Sequence, residues 1–333
     1  MKVKKKQDNT TLYIVIIILL ACIITYLTII TIHEDKQVGV DNETPITVIE
    51  GKDTTKEEYI YKEDLLTLGY TNNDVMEIEK TFTKDEVKNN LLDKKYNNLL
   101  KFKESKYFNI NNLNRYQNYF DKNKYTEEEA VMYVEIGLDV PFYTNIKSAD
   151  TSKGSLILVN KYYSINESYD ANLETLGDGY GKGKLNKEAA KHFREMVDAA
   201  KKDGIKLRSI SAYRSYSSQK SIYNNYVSKD GRTKADTYSA RPGHSEHNTG
   251  LAVDINTASS SAHFEKTKEY EWLINNSYKY GFILRYPEDK MFITGYKYEP
   301  WHYRYLNVEV ATEIHELDVT YEEYLVMTRE KEV

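Results

Sequence analysis

Cysteine is almost absent from this chain: among 333 residues only Cys22 carries a thiol. No intrachain disulfide can form, and because Cys22 lies in an apolar N-terminal run, the remainder has no thiol to serve as nucleophile or ligand. A basic excess is missing as well. With 46 Lys and Arg against 51 Asp and Glu the formal net charge is -5, which gives no support to nucleic-acid binding through a positive surface. Charge itself is absent from one stretch, residues 12–32, a nearly unbroken apolar run. The 333 residues leave room for one domain of ordinary size plus a smaller unit and linkers.

The uncharged run has about 20 residues, enough to cross a bilayer as a helix. Lys2, Lys4, Lys5 and Lys6 precede it, and His33, Glu34 and Asp35 follow. The positive-inside rule therefore predicts a cytoplasmic basic tail (1–11), a single transmembrane anchor (12–32) and an extracellular remainder, so the protein is expected in the cell membrane. A cleaved signal peptide is one alternative. Lipidation is another, since Leu19-Leu-Ala-Cys22 resembles a lipobox, but apolar residues continue beyond Cys22 where a mature lipoprotein would turn polar.

Residues 33–58 are polar and without helical period, and read as a tether. From 59 to 138 the pattern is helical and charged, with capping sequences at Thr83-Lys-Asp-Glu86 and Thr126-Glu-Glu-Glu129. Small helical hairpins serving as a spacer are expected there.

Residues 139–333 read as one α+β domain, a small antiparallel sheet with packed helices. Extended chain is expected over 139–162, ending in strand-like Leu156-Ile-Leu-Val159. Asn186 should cap a helix over 187–202 whose Ala189, Phe193, Met196, Val197 and Ala200 share one face. A strand over 207–211 then delivers Arg214, and a helix from about 217 to 227 turns Ile222, Tyr223 and Tyr226 inward. Further on, the pattern predicts a helix over 264–280, strands over 282–285 and 291–296, and closing helices over 308–317 and 320–327.

The chemistry concentrates in two motifs. Ser245, His247, Gly250, Ala252 and Asp254 form Ser-x-His-x-x-Gly-x-Ala-x-Asp, which reads as two metal ligands separated by a turn. Asn248-Thr249-Gly250 carries the turn chemistry, and in the strand that follows Leu251, Val253 and Ile255 share a core face while Ala252 and Asp254 share the other. The second motif, Tyr298-Glu-Pro-Trp-His-Tyr303, can supply a distant His. Two His and one Asp leave a fourth tetrahedral position for water, the arrangement of catalytic zinc. Glu299 is then the candidate general base. Glu299 and His302 lie three apart and would face opposite sides of an ideal strand, but Pro300 permits a bend, with Trp301 expected to pack beneath the site.

These residues resemble the zinc D-Ala-D-Ala carboxypeptidases of the VanY type, a resemblance covering roughly the last 175 residues. The resemblance implies His247, Asp254 and His302 as zinc ligands and Glu299 as catalytic base. It also implies an oxyanion- or carboxylate-binding role for Arg214 and substrate contact by Gln219 and Ser245, with His244 and Glu246 as decoys. The implied reaction removes the terminal D-Ala from peptidoglycan stem peptides by attack of zinc-activated water, and residues 59–138 would be a spacer or wall-contact module. Ala252 leaves a small-sided space beside Asp254, which suits a small terminal residue. An L,D-carboxypeptidase or peptidoglycan endopeptidase of the same fold is the alternative. A non-enzymatic wall-binding protein would be expected to lack a ligand or the base, and His247, Asp254, Glu299 and His302 are all present.

Overall fold

A run of threonine caps divides the first part of the structure into short helices. The computed structural model describes residues 59–329. The basic tail, the expected anchor and the tether fall outside the described residues, and among those described no helix is long and apolar enough to cross a membrane. The first helices are α1 (Lys62–Thr67), α2 (Asn72–Thr81), α3 (Lys84–Asn90), α4 (Leu99–Glu104), α5 (Leu113–Lys122) and α6 (Glu127–Ile136). Thr71, Thr83 and Thr126 each close a reciprocal capping box with the acidic side chain three residues on, which satisfies backbone donors that would otherwise be orphaned. The helices bury Leu65, Ile78, Val87, Phe102, Tyr116 and Val131 in a core of their own.

Two short strand pairs precede the sheet that carries the site: β1 (Lys147–Ser148) with β2 (Tyr163–Ser164), and β3 (Leu173–Thr175) with β4 (Lys184–Asn186). The main strands are β5 (Leu207–Ser211), β6 (Ala252–Thr257), β7 (Phe282–Leu284) and β8 (His302–Tyr305), all paired antiparallel. They form one four-stranded sheet in the order β5-β6-β8-β7. One face of the sheet is apolar. Val253, Ile255, Tyr303 and Tyr305 on that face pack in one cluster with Phe193, Met196 and Ala200 of α7 (Lys187–Lys202), which begins at the Asn186 cap as its sequence predicts.

Three segments depart from their expected form. Leu156-Ile-Leu-Val159 pairs with no strand: a 3-10 turn over Thr151–Leu156 precedes it. Its carbonyls are used instead by side chains, Ser155 and Ile157 accepting from the Arg304 guanidinium and Leu156 from the Tyr321 hydroxyl. The run at 291–296 is not a strand but contains a short helix, α10 (Met291–Thr294), ended by left-handed Gly295; Ile293 and Thr294 are buried while Met291 and Phe292 are exposed, an order that strand alternation cannot produce. The helix expected over 264–280 breaks into 3-10 turns around α9 (Lys268–Asn276), because Thr267 caps a fresh start by accepting from Tyr270 N. Between β5 and β6 runs α8 (Tyr216–Asp230), and the described chain closes with α11 (Val308–Leu317) and α12 (Tyr321–Met327).

One glycine fixes how the motif enters the sheet. Gly250 has φ +72°, and a Cβ there would lie 2.9 Å from Leu173 Cδ2 and 3.0 Å from Asn186 N, the latter belonging to the residue that caps α7. Gly250→Ala combines left-handed strain with overpacking and should lower stability by about 1–3 kcal/mol in urea unfolding. An unchanged midpoint would show that the turn relaxes freely.

Candidate metal centre and active site

Antiparallel pairing sets Asp254 of β6 directly opposite His302 of β8, and Ala252 opposite Arg304. Opposed residues of an antiparallel pair share a face, so these four side chains lie on the side of the sheet away from the apolar cluster. His247 approaches the same point from the 3-10 turn Glu246–Thr249, which ends at left-handed Gly250. One ligand atom from each of His247, Asp254 and His302 lies within 4.8 Å of the others, and all three residues are buried. Asp254 Oδ1 stands 3.3 Å from His247 Nε2 and 3.2 Å from His302 Nδ1. It is nevertheless a buried oxygen with no hydrogen bond of adequate geometry. A carboxylate oxygen and two ring nitrogens thus converge on one buried point with their valence toward each other unsatisfied, a donor set that fits a tetrahedral N/O-binding divalent cation such as zinc.

The outer nitrogens show which lone pairs are free. His247 Nδ1 is 2.7 Å from the Ala212 carbonyl, which only accepts, so Nδ1 carries the proton and Nε2 faces Asp254 with a lone pair. Ala212 directly follows β5, which is bulged between Ser209 and Ser211. His302 Nε2 is 3.2 Å from Glu246 Oε2 and donates to it, which turns Nδ1 toward Asp254. Glu246 stays ionised: burial works against its charge, but Arg285 and Arg304 beside it hold the carboxyl far below the usual range. Glu246 was the neighbour expected to be a decoy. It does not join the three converging donors, yet it touches one of them from behind, a role that its sequence neighbours give no means of reading. His244 does face away, with Nδ1 on the Asn160 carbonyl.

Pro300 and Trp301 form a turn that folds Glu299 back over His302, whose Nδ1 lies 3.7 Å from Glu299 Oε2. A cavity of about 300 Å³ opens above these groups. Arg214 lines it, with Nη1 on Gln219 Oε1 at 2.8 Å and Nη2 on Ser211 Oγ at 3.1 Å. Its guanidinium forms no ion pair with a carboxylate among the described residues. Gln219 is fully buried and gives its other end to the Ala240 carbonyl at 2.7 Å. Ser245 lines the cavity too. Trp301, expected beneath the site, is 38% exposed at the cavity wall, while its carbonyl accepts from Ile255 N and extends the sheet. Tyr226 likewise faces outward rather than into the core, meeting Tyr238 edge-on at 5.0 Å beside the same cavity. Both residues line a cleft, and periodicity cannot separate that from a core position.

Residues 182–308 match the VanY family, described as D-alanyl-D-alanine carboxypeptidase. The D-alanyl-D-alanine carboxypeptidase of Enterococcus faecalis (strain ATCC 700802 / V583) is 39% identical over 188 residues, spanning 54% of this chain and 68% of that protein. YodJ of Bacillus subtilis (strain 168) is 41% identical over 207 residues, spanning 57% of this chain and 76% of the relative. The chain belongs to the VanY carboxypeptidase family. Among solved structures, the LD-carboxypeptidase LdcB is similar with a TM-score of 0.52 and 40% identity, covering 56% of this chain and 92% of LdcB.

The electrostatics of this VanY-family site follow from burying several charges together. Burial pushes Glu299 up to about 7, with Asp254 adding to the shift and His302 and Arg214 opposing it. Burial alone would discharge His302, but the carboxylates of Asp254 and Glu246 beside its two ring nitrogens overcome it and raise the imidazole to about 9. Burial also opposes the Asp254 charge, and the two imidazoles outweigh it, holding that carboxyl well below the usual range. At Glu299 and His302 the folded chain holds protons that the unfolded chain releases, so their contributions to stability fall as pH rises: that of Glu299 between about 4.5 and about 7, that of His302 between about 6.5 and about 9. Burial holds His247 and His244 below the usual imidazole range and Lys161 near 8, which acts in the opposite sense, so the test is a difference between variants. In urea unfolding of chelator-treated protein, the stability gained by Glu299→Gln relative to the unsubstituted chain should grow between about pH 5 and 7. A difference that does not change with pH would contradict the shift assigned to Glu299.

Proposed function

We propose that the protein is a zinc carboxypeptidase that releases the terminal D-Ala of peptidoglycan stem peptides ending in D-Ala-D-Ala. The observation that carries the reading is the buried, unsatisfied Asp254 oxygen flanked by two oriented imidazoles, with the Glu299 carboxylate beside it. Zinc held by His247 Nε2, Asp254 and His302 Nδ1 would supply a Lewis acid and acidify a water at its fourth position.

The remaining work falls to the chain's own groups. Glu299 takes a proton from the attacking water as its oxygen bonds to the scissile carbonyl carbon, then passes a proton to the leaving amine as the C–N bond breaks. Its raised pKa suits a group that must accept and release a proton near neutrality. Arg214 presents a guanidinium without a carboxylate partner to the developing oxyanion or to the substrate's terminal carboxylate, and Gln219 and Ser211 fix its fork. Ser245 offers a hydroxyl on the cavity wall. Ala252, expected to bound a space beside Asp254, is fully buried and is not among the residues that line the cavity, so it does not set the size of the released residue.

A second reading, release of D-Ala from tetrapeptides by L,D-cleavage, is favoured by the likeness to LdcB. The uncharged run at 12–32 would anchor the enzyme on the outer face of the cell membrane, with residues 59–138 as a spacer or wall-contact segment.

Two experiments test these assignments. Glu299→Gln should keep zinc at full occupancy while kcat falls by about 10²–10⁴-fold; His247→Ala and His302→Ala should lose metal and activity together. Near-normal turnover of Glu299→Gln would remove it as the base. For bond choice, the zinc-loaded protein is offered pentapeptide, tetrapeptide and C-terminally amidated pentapeptide, with products read by mass spectrometry. Preferred loss of one D-Ala from the free pentapeptide is expected. Faster tetrapeptide cleavage would transfer the enzyme to the L,D class, and equal cleavage of the amide would make it an endopeptidase.

A further inference from the structure

Glu246 sits behind the site and outside the donor set, and its side chain is completely buried. Its two oxygens are divided between different tasks. Oε1 accepts from Arg285 Nε at 2.8 Å and from Arg304 Nη1 at 2.9 Å, while Oε2 lies 3.2 Å from His302 Nε2. The arginines are fixed in turn. Arg285 forks onto Glu322 of α12, Nη1 to Oε2 at 2.8 Å and Nη2 to Oε1 at 2.6 Å. Arg304 spends its other donors on the carbonyls of Ser155, Ile157 and Tyr305.

A cluster of two guanidiniums and two carboxylates in the interior is a poor device for stability. Buried pairs seldom outperform apolar side chains of similar volume, because desolvating the ions offsets most of their attraction. What the cluster does achieve is geometric: a carboxylate that cannot move, with one oxygen reserved for one imidazole nitrogen.

We propose that Glu246 is the positioning residue of the metal centre, holding the His302 ring through Nε2 so that Nδ1 is aimed at the cation. The inference rests on the zinc reading above. An imidazole that donates to an ionised carboxylate is a stronger donor through its other nitrogen, and its ring cannot flip without breaking that bond. The arginines keep the carboxylate charged and stationary, so α12 and the Ser155–Ile157 backbone brace the site without approaching the substrate cavity.

The test uses the full chain and zinc alone. Glu246→Gln keeps side-chain length and an acceptor for Nε2–H but removes the charge; it should weaken zinc by about 10–100-fold in competition with a chromogenic chelator. The visible bands of the cobalt-substituted variant should shift as well, since an imidazole that donates to a neutral amide is a weaker ligand through its other nitrogen. Phe102→Leu, which perturbs the core of the N-terminal helices, is the control for lowered stability and should leave both readouts unchanged. Should Glu246→Gln fail to fold, Glu246→Asp keeps the charge for the arginines and withdraws the oxygen from His302, and the same weakening is expected. Unchanged zinc affinity and cobalt bands in a folded Glu246 variant would overturn the inference. If His302→Ala also leaves zinc binding intact, the metal reading itself fails; if His302→Ala abolishes it while Glu246 variants do not, only the positioning role falls.

Discussion

Register between β6 and β8 is the constraint on which the site depends. The pair Asp254 and His302 meet because they are exact antiparallel partners. A slip of one residue would turn one of them to the opposite face. What prevents the slip is apolar: Val253, Ile255, Tyr303 and Tyr305, all essentially without exposure, interleave with those two and bury themselves against α7. Full burial of such a side chain is worth roughly 1.5–3 kcal/mol, so misregister would forfeit several of these terms together. The chemistry on one face is thereby fixed by hydrophobic packing on the other.

That arrangement puts many charges in one dry region, and they organise into two layers. Behind the donors, Arg285 and Arg304 balance Glu246 and Glu322 without outside help. In front, Asp254 and Glu299 face two imidazoles and a single Arg214. Glu299 and His302 both titrate high, the first because burial disfavours its charge and the second because carboxylates stand at both ring nitrogens. A divalent ion at the Asp254 oxygen would remove the need for the His302 proton, so metal binding and proton release are coupled in this site.

Legibility in the sequence followed the range of the interactions. The helix at Lys187–Lys202, its Asn186 cap and the apolar face of β6 were readable because their determinants are local periodicity and capping chemistry. The converging donors were readable because the motif spacing maps onto a turn and a strand. Segments governed by distant partners were not. The Ser155–Ile157 carbonyls are held by Arg304, about 150 residues later, so a run with strand composition never joins a ladder. Trp301 and Tyr226 have core-like side chains but line a cleft, and Glu246 sits between two motif positions while its partners are Arg285, Arg304 and His302.

The same long-range bonds show that the folding unit is larger than the span of the family match. The family match spans residues 182–308 and contains both His, Asp254, Glu299, Arg285 and Arg304. Yet part of what satisfies the two buried arginines lies beyond both ends of it, Ser155 and Ile157 before and Glu322 after. Removing one partner of a buried ion pair costs about 3–5 kcal/mol, because the remaining charge stays desolvated. Losing Glu322 alone would therefore remove a large part of the stability of an ordinary domain. With Arg285 unbalanced, its full charge would fall on Glu246, the carboxylate behind His302. The closing helix and the irregular segment before α7 belong to the site as much as the motif strand does, since without them the sheet would have to bury two guanidiniums against one carboxylate.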